Sequence, residues 1–267
     1  MCRLFLSINQ QLDSITLINF FKQAHNIKNT PNNFSEFDAD HHLDGYGVGW
    51  LDSNNKLQIY KNSNPYYKDN NFQNIFDQIS QSRFVIGHLR NKEKKSEGDK
   101  KIVNCHPFVY DNYIFAHNGF VKDFKLNKEK ILIMIDKKYI DKIIGETDTE
   151  HLFYLLLTVI DELNLENIKN KLEKLYQNAF EKVFKILNDQ KIELVGNFIF
   201  SDLIKVIVIR YITPNFDRTK SYSRKYLPPS LYYCSEIDKN KVLISSEPVK
   251  WYYLLINPNS IVSFDCE

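Results

Sequence analysis

Cysteine is scarce in this chain of 267 residues, which has four: Cys2, Cys105, Cys234 and Cys266. They form no CxxC pair and no compact framework, so a disulfide scaffold is not expected. An excess of one charge is also lacking. The 35 Lys and Arg and 33 Asp and Glu leave a net charge of +2, and the two signs are interspersed, so neither a nucleic acid nor a membrane surface is expected as a partner. The most basic run, residues 92–101, itself contains Glu93, Glu97 and Asp99 and reads as a solvated loop. No apolar run reaches the roughly 18 residues of a spanning helix. The opening Met-Cys-Arg-Leu-Phe-Leu-Ser-Ile-Asn-Gln is too short in its apolar part for a signal segment. The expected setting is the cytoplasm, with reduced thiols. Hydrophobic residues at 43% and aromatics at 14% are ample for a core, and the length suits a single domain over residues 1–267.

The pattern along the chain runs strands, then helices, then strands. Residues 2–8 read as a strand. Ser14 is positioned to cap a short helix carrying Leu17, Ile18, Phe21 and Ala24. Residues 28–45 read as a loop; Tyr46–Leu51 and Leu57–Lys61 form a hairpin around Asp52-Ser53-Asn54-Asn55. Phe72, Ile75, Phe76 and Ile79 fall at helical spacing. Arg83–Leu89 and Tyr113–His117 are strand-like. Two helical stripes fill 148–190, one through Leu152, Leu155, Leu156, Val159 and Ile160, the other through Ile168, Leu172, Leu175, Ala179, Val183 and Leu187. Strands return at 192–200, 204–211, 231–234 and 241–245, with a loop over 213–230. The result is an α+β chain with a central helical layer.

Glycine is as sparse as proline, with eight of each. Three of the glycines fall within Asp44-Gly45-Tyr46-Gly47-Val48-Gly49-Trp50, where a missing Cβ permits positive φ or a close backbone approach. No helix pattern follows, so this is not a dinucleotide site; a plain hairpin lead-in is the simpler alternative. Cys2 would carry a thiol and a free α-amine on one residue once Met1 is removed. An amine of pKa about 7.7–8.0 can take a proton at neutral pH, and a thiol with a base beside it is a competent nucleophile. Met-Cys beginnings also arise by chance. Arg90 closes the strand-like Gly87-His88-Leu89-Arg90, where a guanidinium can hold a carboxylate by two parallel hydrogen bonds, or be an ordinary surface cation. Asn118-Gly119 after a strand suits a tight turn, in which a side-chain amide and a backbone N–H face one oxygen; the same pair is also a plain hairpin signal. Cys105 reads as packing and His106 as a structural hydrogen-bonding residue. Thr147 or Asp148 can cap the helix that follows, with Glu150 at capping-box spacing from Thr147. Ser245-Ser246-Glu247-Pro248 offers no chemistry of its own.

Cys2 at the second position, followed in order by DGYGVGW, HLR, NCHPF, HNG, TDTEH and SSEP, resembles the class II glutamine amidotransferases of the N-terminal nucleophile hydrolase superfamily. Within them it is most similar to the stand-alone, YafJ-like subgroup. The resemblance spans nearly the whole chain and implies a four-layer αββα sandwich. It implies that Cys2 is the nucleophile with its α-amine as base, that Asn118 and Gly119 form the oxyanion hole, that Arg90 binds a substrate α-carboxylate and that Asp148 binds the α-amine. The implied reaction is hydrolysis of a γ-glutamyl amide through a thioester, with no cofactor and no metal. A partner subunit or a second copy of the chain is compatible with it. The segment after Arg90 departs from the family's usual Arg-x-Ala-Thr: Glu93 stands where a Thr hydroxyl helps bind substrate, and would repel a carboxylate unless Lys92 or Lys94 offsets it. That departure slightly favours the main alternative, a catalytically silent relative serving as a partner- or metabolite-binding subunit, while the intact Cys2, Asn118 and Gly119 argue against it. A metal hydrolase built on His41, His42, Asp44, His88, His106 and His117 has no helical ligand spacing behind it.

Overall fold

The computed structural model describes residues 2–24, 42–91, 101–165, 172–214, 216, 230–235, 241–249 and 253–266. Most of the expected loops over 28–45, 92–101 and 213–230 lies outside these residues (28–41, 92–100, 215 and 217–229), as do His41, Lys92, Glu93, Lys94 and Ile168. In chain order the elements are β1 (Arg3–Ile8), α1 (Ser14–Lys22), β2 (Tyr46–Leu51), β3 (Leu57–Asn62), α2 (Phe72–Ser80), β4 (Phe84–Leu89), β5 (Phe108–Tyr110) and β6 (Tyr113–Val121). There follow α3 (Phe124–Ile133), α4 (Lys137–Ile140), α5 (Asp148–Leu165), α6 (Leu172–Asp189), β7 (Leu194–Ser201), β8 (Lys205–Ile212), β9 (Tyr232–Ser235), β10 (Val242–Ser245), β11 (Leu254–Leu255) and β12 (Ser260–Asp265).

The strands form two antiparallel sheets, one in the order β11-β9-β10-β1-β4-β2-β3 and one in the order β12-β8-β7-β6-β5. Because successive side chains on a strand point to opposite faces, each strand feeds two layers. In β1, Phe5 points outward to α1 and α2, joining Leu17, Phe20, Phe21, Ile75 and Ile79. Leu4, Leu6 and Ile8 point inward, against Ile114, Ala116, Ile199, Val206 and Val208 of the other sheet. The outer face of that second sheet, through Phe115, Phe198, Phe200, Ile207 and Ile209, is covered by α5 and α6. Helices, sheet, sheet and helices make the four-layer αββα sandwich. Among the described residues no helix is long and apolar enough to cross a membrane.

Several local expectations change. Asp13, not Ser14, caps α1: its carboxylate accepts the Thr16 N–H at 2.7 Å. An ionised acceptor at a helix start bonds an orphan N–H more strongly than a hydroxyl does. Leu172 is exposed at the first residue of α6, although Leu175, Ala179, Val183 and Leu187 are buried as the stripe predicts. Helices α3 and α4 and strands β11 and β12 were not legible; Leu126 and Ile133 of α3 face outward, so their pattern carried no amphipathic signal.

The largest correction concerns Asn118-Gly119. The pair is not a turn, because β6 continues to Val121, and Asn118 and Gly119 lie opposite Asn197 and Gly196 of β7. Eight residues of β6 paired with β7 outweigh a local turn preference. The glycines of β2 do serve close approach. Gly45 has φ +107°, and a Cβ on Gly47 would stand 2.1 Å from the His106 carbonyl oxygen, so the loop leading into β5 can press directly on β2.

Candidate active site

Follow the inward-facing residues of each strand from one end of the sandwich to the other. In β1 the column reads Ile8, Leu6, Leu4 and then Cys2; in β4, Phe84, Ile86, His88 and then Arg90. In β6 it reads Ile114, Ala116, Asn118, in β7 Ile199, Asn197, and in β10 Val242, Ile244, Ser246. Antiparallel registry aligns these columns: Leu4 lies opposite His88, and Asn118 opposite Asn197. All five switch from apolar to polar at one end of the inter-sheet layer. That end is the candidate site.

Cys2 sits there, partly exposed, at the start of β1. The Asn91 backbone N–H donates to its sulfur at 3.4 Å, and the thiol reaches the Asn91 carbonyl at 3.5 Å. Packing around the sulfur raises the thiol's pKa, and the Asn91 bond and the positive charges of Arg90 and Arg3 oppose that rise. Arg90 is buried; its backbone N–H donates to Gly45 O at 2.9 Å and its guanidinium to Asp44 O at 3.5 Å.

Below Arg90 lie two histidines. The ring of His106 packs 4.0 Å from that of His88 and 5.0 Å, edge-on, from Phe108. Both His106 ring nitrogens are buried without a hydrogen-bond partner among the described residues, which corrects the expectation that this residue serves by hydrogen bonding. Its ring enters the inter-sheet layer where its neighbours are rings. Burial, reinforced by nearby cations, pushes both imidazoles well below their usual pKa, so they are neutral at physiological pH. Cys105 packs as expected, fully buried, with its thiol toward Asn62 O at 3.6 Å.

Asn118 reaches this layer from the second sheet. Its Nδ2 donates to Ser246 Oγ at 3.3 Å, and the same oxygen accepts the Leu4 N–H at 2.8 Å. Among the described residues no hydrogen bond joins Cys2 and Asn118 directly; Ser246 joins Asn118 to the strand that carries Cys2. Asp148 lies at the start of α5, where its carboxylate accepts Val121 N–H at 2.8 Å and Thr149 N–H at 2.8 Å. It therefore ties α5 to the end of the strand bearing Asn118 and Gly119. Thr147 caps the helix, accepting the Glu150 N–H at 3.2 Å. The Glu150 carboxylate turns instead to the N–H groups of Ile144 and Gly145, at 3.0 and 2.7 Å.

Sequence reasoning missed the segment after β10. The Ser246 N–H donates to Leu4 O at 3.0 Å. Glu247 forms a buried ion pair with Arg3 at 3.5 Å, and Arg3 also donates to the Cys2 carbonyl at 3.1 Å. Desolvation dominates both partners of that pair, lowering the pKa of Arg3 and raising that of Glu247. A serine, serine, glutamate run at a strand end was the available signal, but its partners Arg3, Leu4 and Asn118 lie more than a hundred residues away. Among the described residues no cluster of three or more His, Cys, Asp or Glu is placed to hold a metal ion. A cavity of about 730 Å³ opens at the opposite end of the sandwich, beside Asn9, Trp50, Gln78, Arg83, Leu203 and Cys266.

A family model for class-II glutamine amidotransferases matches residues 27–210. Among curated proteins, the chain is 28% identical over 232 residues to the probable glutamine amidotransferase DUG3 of Saccharomyces cerevisiae, covering 77% of this chain and 64% of that protein. It is 34% identical over 125 residues to an uncharacterized protein of Methanocaldococcus jannaschii, covering 45% of this chain and 30% of that one. The chain thus spans less than two thirds of the length of either. Among solved structures, a glutamine aminotransferase class-II domain protein from Silicibacter pomeroyi superposes with a TM-score of 0.62 at 19% identity, over 99% of this chain and 95% of that one. Glutamine phosphoribosylpyrophosphate amidotransferase from B. subtilis gives 0.61 at 16%, over 99% and 47%. These structural likenesses speak to the fold alone, the four-layer αββα sandwich. With more than half of its length matched by the family model, the chain belongs to the class-II glutamine amidotransferases.

Proposed function

We propose that this protein hydrolyses a γ-glutamyl amide, with Cys2 as nucleophile. The observation that carries the reading is the position of the Cys2 sulfur. It sits at a strand end, with a backbone N–H on it, Arg90 beside it, and Asn118 coupled to the same strand through Ser246. Removal of Met1 exposes the α-amine, which takes the thiol proton as the sulfur attacks the amide carbon. The carbonyl oxygen becomes an oxyanion, held by the Asn118 amide and the Gly119 N–H. The C–N bond then breaks, the leaving amine takes the proton back from the α-ammonium, and a thioester remains. Water, deprotonated by the same amine, attacks the thioester and releases the γ-carboxylate and the thiol. Arg90 binds the substrate's α-carboxylate and Asp148 its α-amine; the bonds Asp148 makes to Val121 and Thr149 fix its carboxylate while leaving lone pairs for a ligand.

The test is release of glutamate from a panel of γ-glutamyl amides that includes glutamine, with mass spectrometry of the N-terminus. Turnover should require a chain that begins at Cys2 and should vanish in Cys2→Ala. Sustained turnover by Cys2→Ala would refute the assignment. A processed, folded wild-type protein that is inactive on every amide would leave the silent-subunit reading in its place.

A further inference from the structure

We infer that Ser246 is a positioning residue, whose hydroxyl oxygen aims the Asn118 carboxamide; this rests on the oxyanion role proposed for Asn118. β10 ends at Ser245, which lies opposite Phe5 of β1. The next rung is unusual. The Ser246 N–H still donates to Leu4 O at 3.0 Å, but the Leu4 N–H is taken by the Ser246 side chain, at 2.8 Å, in place of a backbone carbonyl. This fixes Oγ against the backbone of β1, two residues from Cys2. The same oxygen crosses the inter-sheet layer to accept from Asn118 Nδ2 at 3.3 Å. One atom therefore links the strand carrying the nucleophile to the strand carrying the oxyanion donor.

Ser246 is in turn held. The Ser230 hydroxyl donates to its carbonyl at 2.8 Å, and Asn197 Nδ2 donates to Ser230 O at 2.9 Å. On its other side the Glu247–Arg3 pair pins the following residue to the start of β1. By contrast, Asn118 Oδ1 is buried and without a partner among the described residues. The bond to Ser246 is thus what orients the carboxamide. An amide nitrogen carries two hydrogens; with one directed at Ser246 Oγ, the planar group sends the other in a fixed direction, available to a substrate oxygen. Loss of Oγ frees the amide to rotate, and a donor off its line stabilises an oxyanion poorly.

Two measurements test this. In turnover assays, Ser246→Ala should lower kcat about tenfold or more with KM unchanged, and the loss should disappear in an Asn118→Ala background, since the serine acts through that amide. In 15N NMR, the Asn118 side-chain amide signal, assigned by its absence in Asn118→Ala, should shift in Ser246→Ala while the β6 and β7 backbone signals hold. If Ser246→Ala does not fold, Ser246→Cys, whose sulfur is a weaker acceptor, should show the same kcat-only loss and the same coupling. An unmoved Asn118 amide signal, or a kcat loss that multiplies with that of Asn118→Ala, overturns the inference. The NMR measurement needs no turnover, so inactivity of the wild type would count against the proposed function alone.

Discussion

The inter-sheet layer has two halves built from the same strands, and they are opposites. At one end, Leu6, Ile8, Phe84, Ile86, Val206 and Val242 meet as an apolar layer with no polar group among them. At the other, Cys2, His88, Arg90, Asn118, Asn197 and Ser246 occupy the equivalent inward positions, nearly all buried. The first half contributes stability through burial of apolar surface. The second costs stability, because buried polar groups must be desolvated and polar atoms such as Asn118 Oδ1 have no hydrogen-bond partner among the described residues. Placing both on one set of strands lets the apolar half hold the polar half in register. A conformationally costly site is carried by a rigid one.

Substitutions should separate the halves. Cys2→Ala is expected to remove turnover altogether while leaving the midpoint of thermal unfolding nearly unchanged, as measured by glutamate release and calorimetry. Asn118→Ala should reduce kcat about a hundredfold, the loss of one oxyanion donor worth roughly 2.7 kcal/mol or more; a rate within twofold of wild type would remove Asn118 from the machinery. In the apolar half the effects should invert. Leu6→Ala should cost about 2–5 kcal/mol of stability by denaturant titration, with kcat of the folded fraction retained. Glu247→Ala, at the border, should cost about 3 kcal/mol by taking the Glu247 carboxylate away from the buried Arg3 guanidinium.

The smallest effect is expected from pH. His88 and His106 are held neutral, well below the usual imidazole pKa of 6.5. As pH falls below that value the unfolded chain binds protons that the native chain refuses, so stability should decline from about pH 6.5 downward. His106→Phe should flatten part of that slope in unfolding curves taken between neutral and mildly acid pH. A slope unchanged by the substitution would mean that His106 is not among the groups responsible.

Much of the molecule was legible because its signals are local. Short apolar runs marked β1, β2, β4 and β8, and the stripe from Leu152 to Ile160 marked α5, since burying one face of a helix requires a fixed period. The family motifs also put forward Cys2, Arg90, Asn118, Gly119 and Asp148 as candidates by order alone. Other features were misread for a physical reason. Asn118-Gly119 carries a strong turn signal within a few residues, yet pairing with Asn197 and Gly196 keeps it in a strand. His106 looked like a hydrogen-bonding residue, but its ring nitrogens have no hydrogen-bond partner among the described residues and its ring packs on those of His88 and Phe108.

The amino-acid sequence by itself determined where most strands and helices fall, through apolar runs and helical periodicity, and the family, through motifs at the ends of strands. Only the tertiary structure decided that those strand ends coincide. Leu4 and Ser246 are 242 residues apart, and Asn118 and Ser246 are 128 apart, separations at which no local preference operates. Such hydrogen bonds exist only after strands have paired and sheets have packed, so the role of the serine that joins them cannot be read from its motif alone.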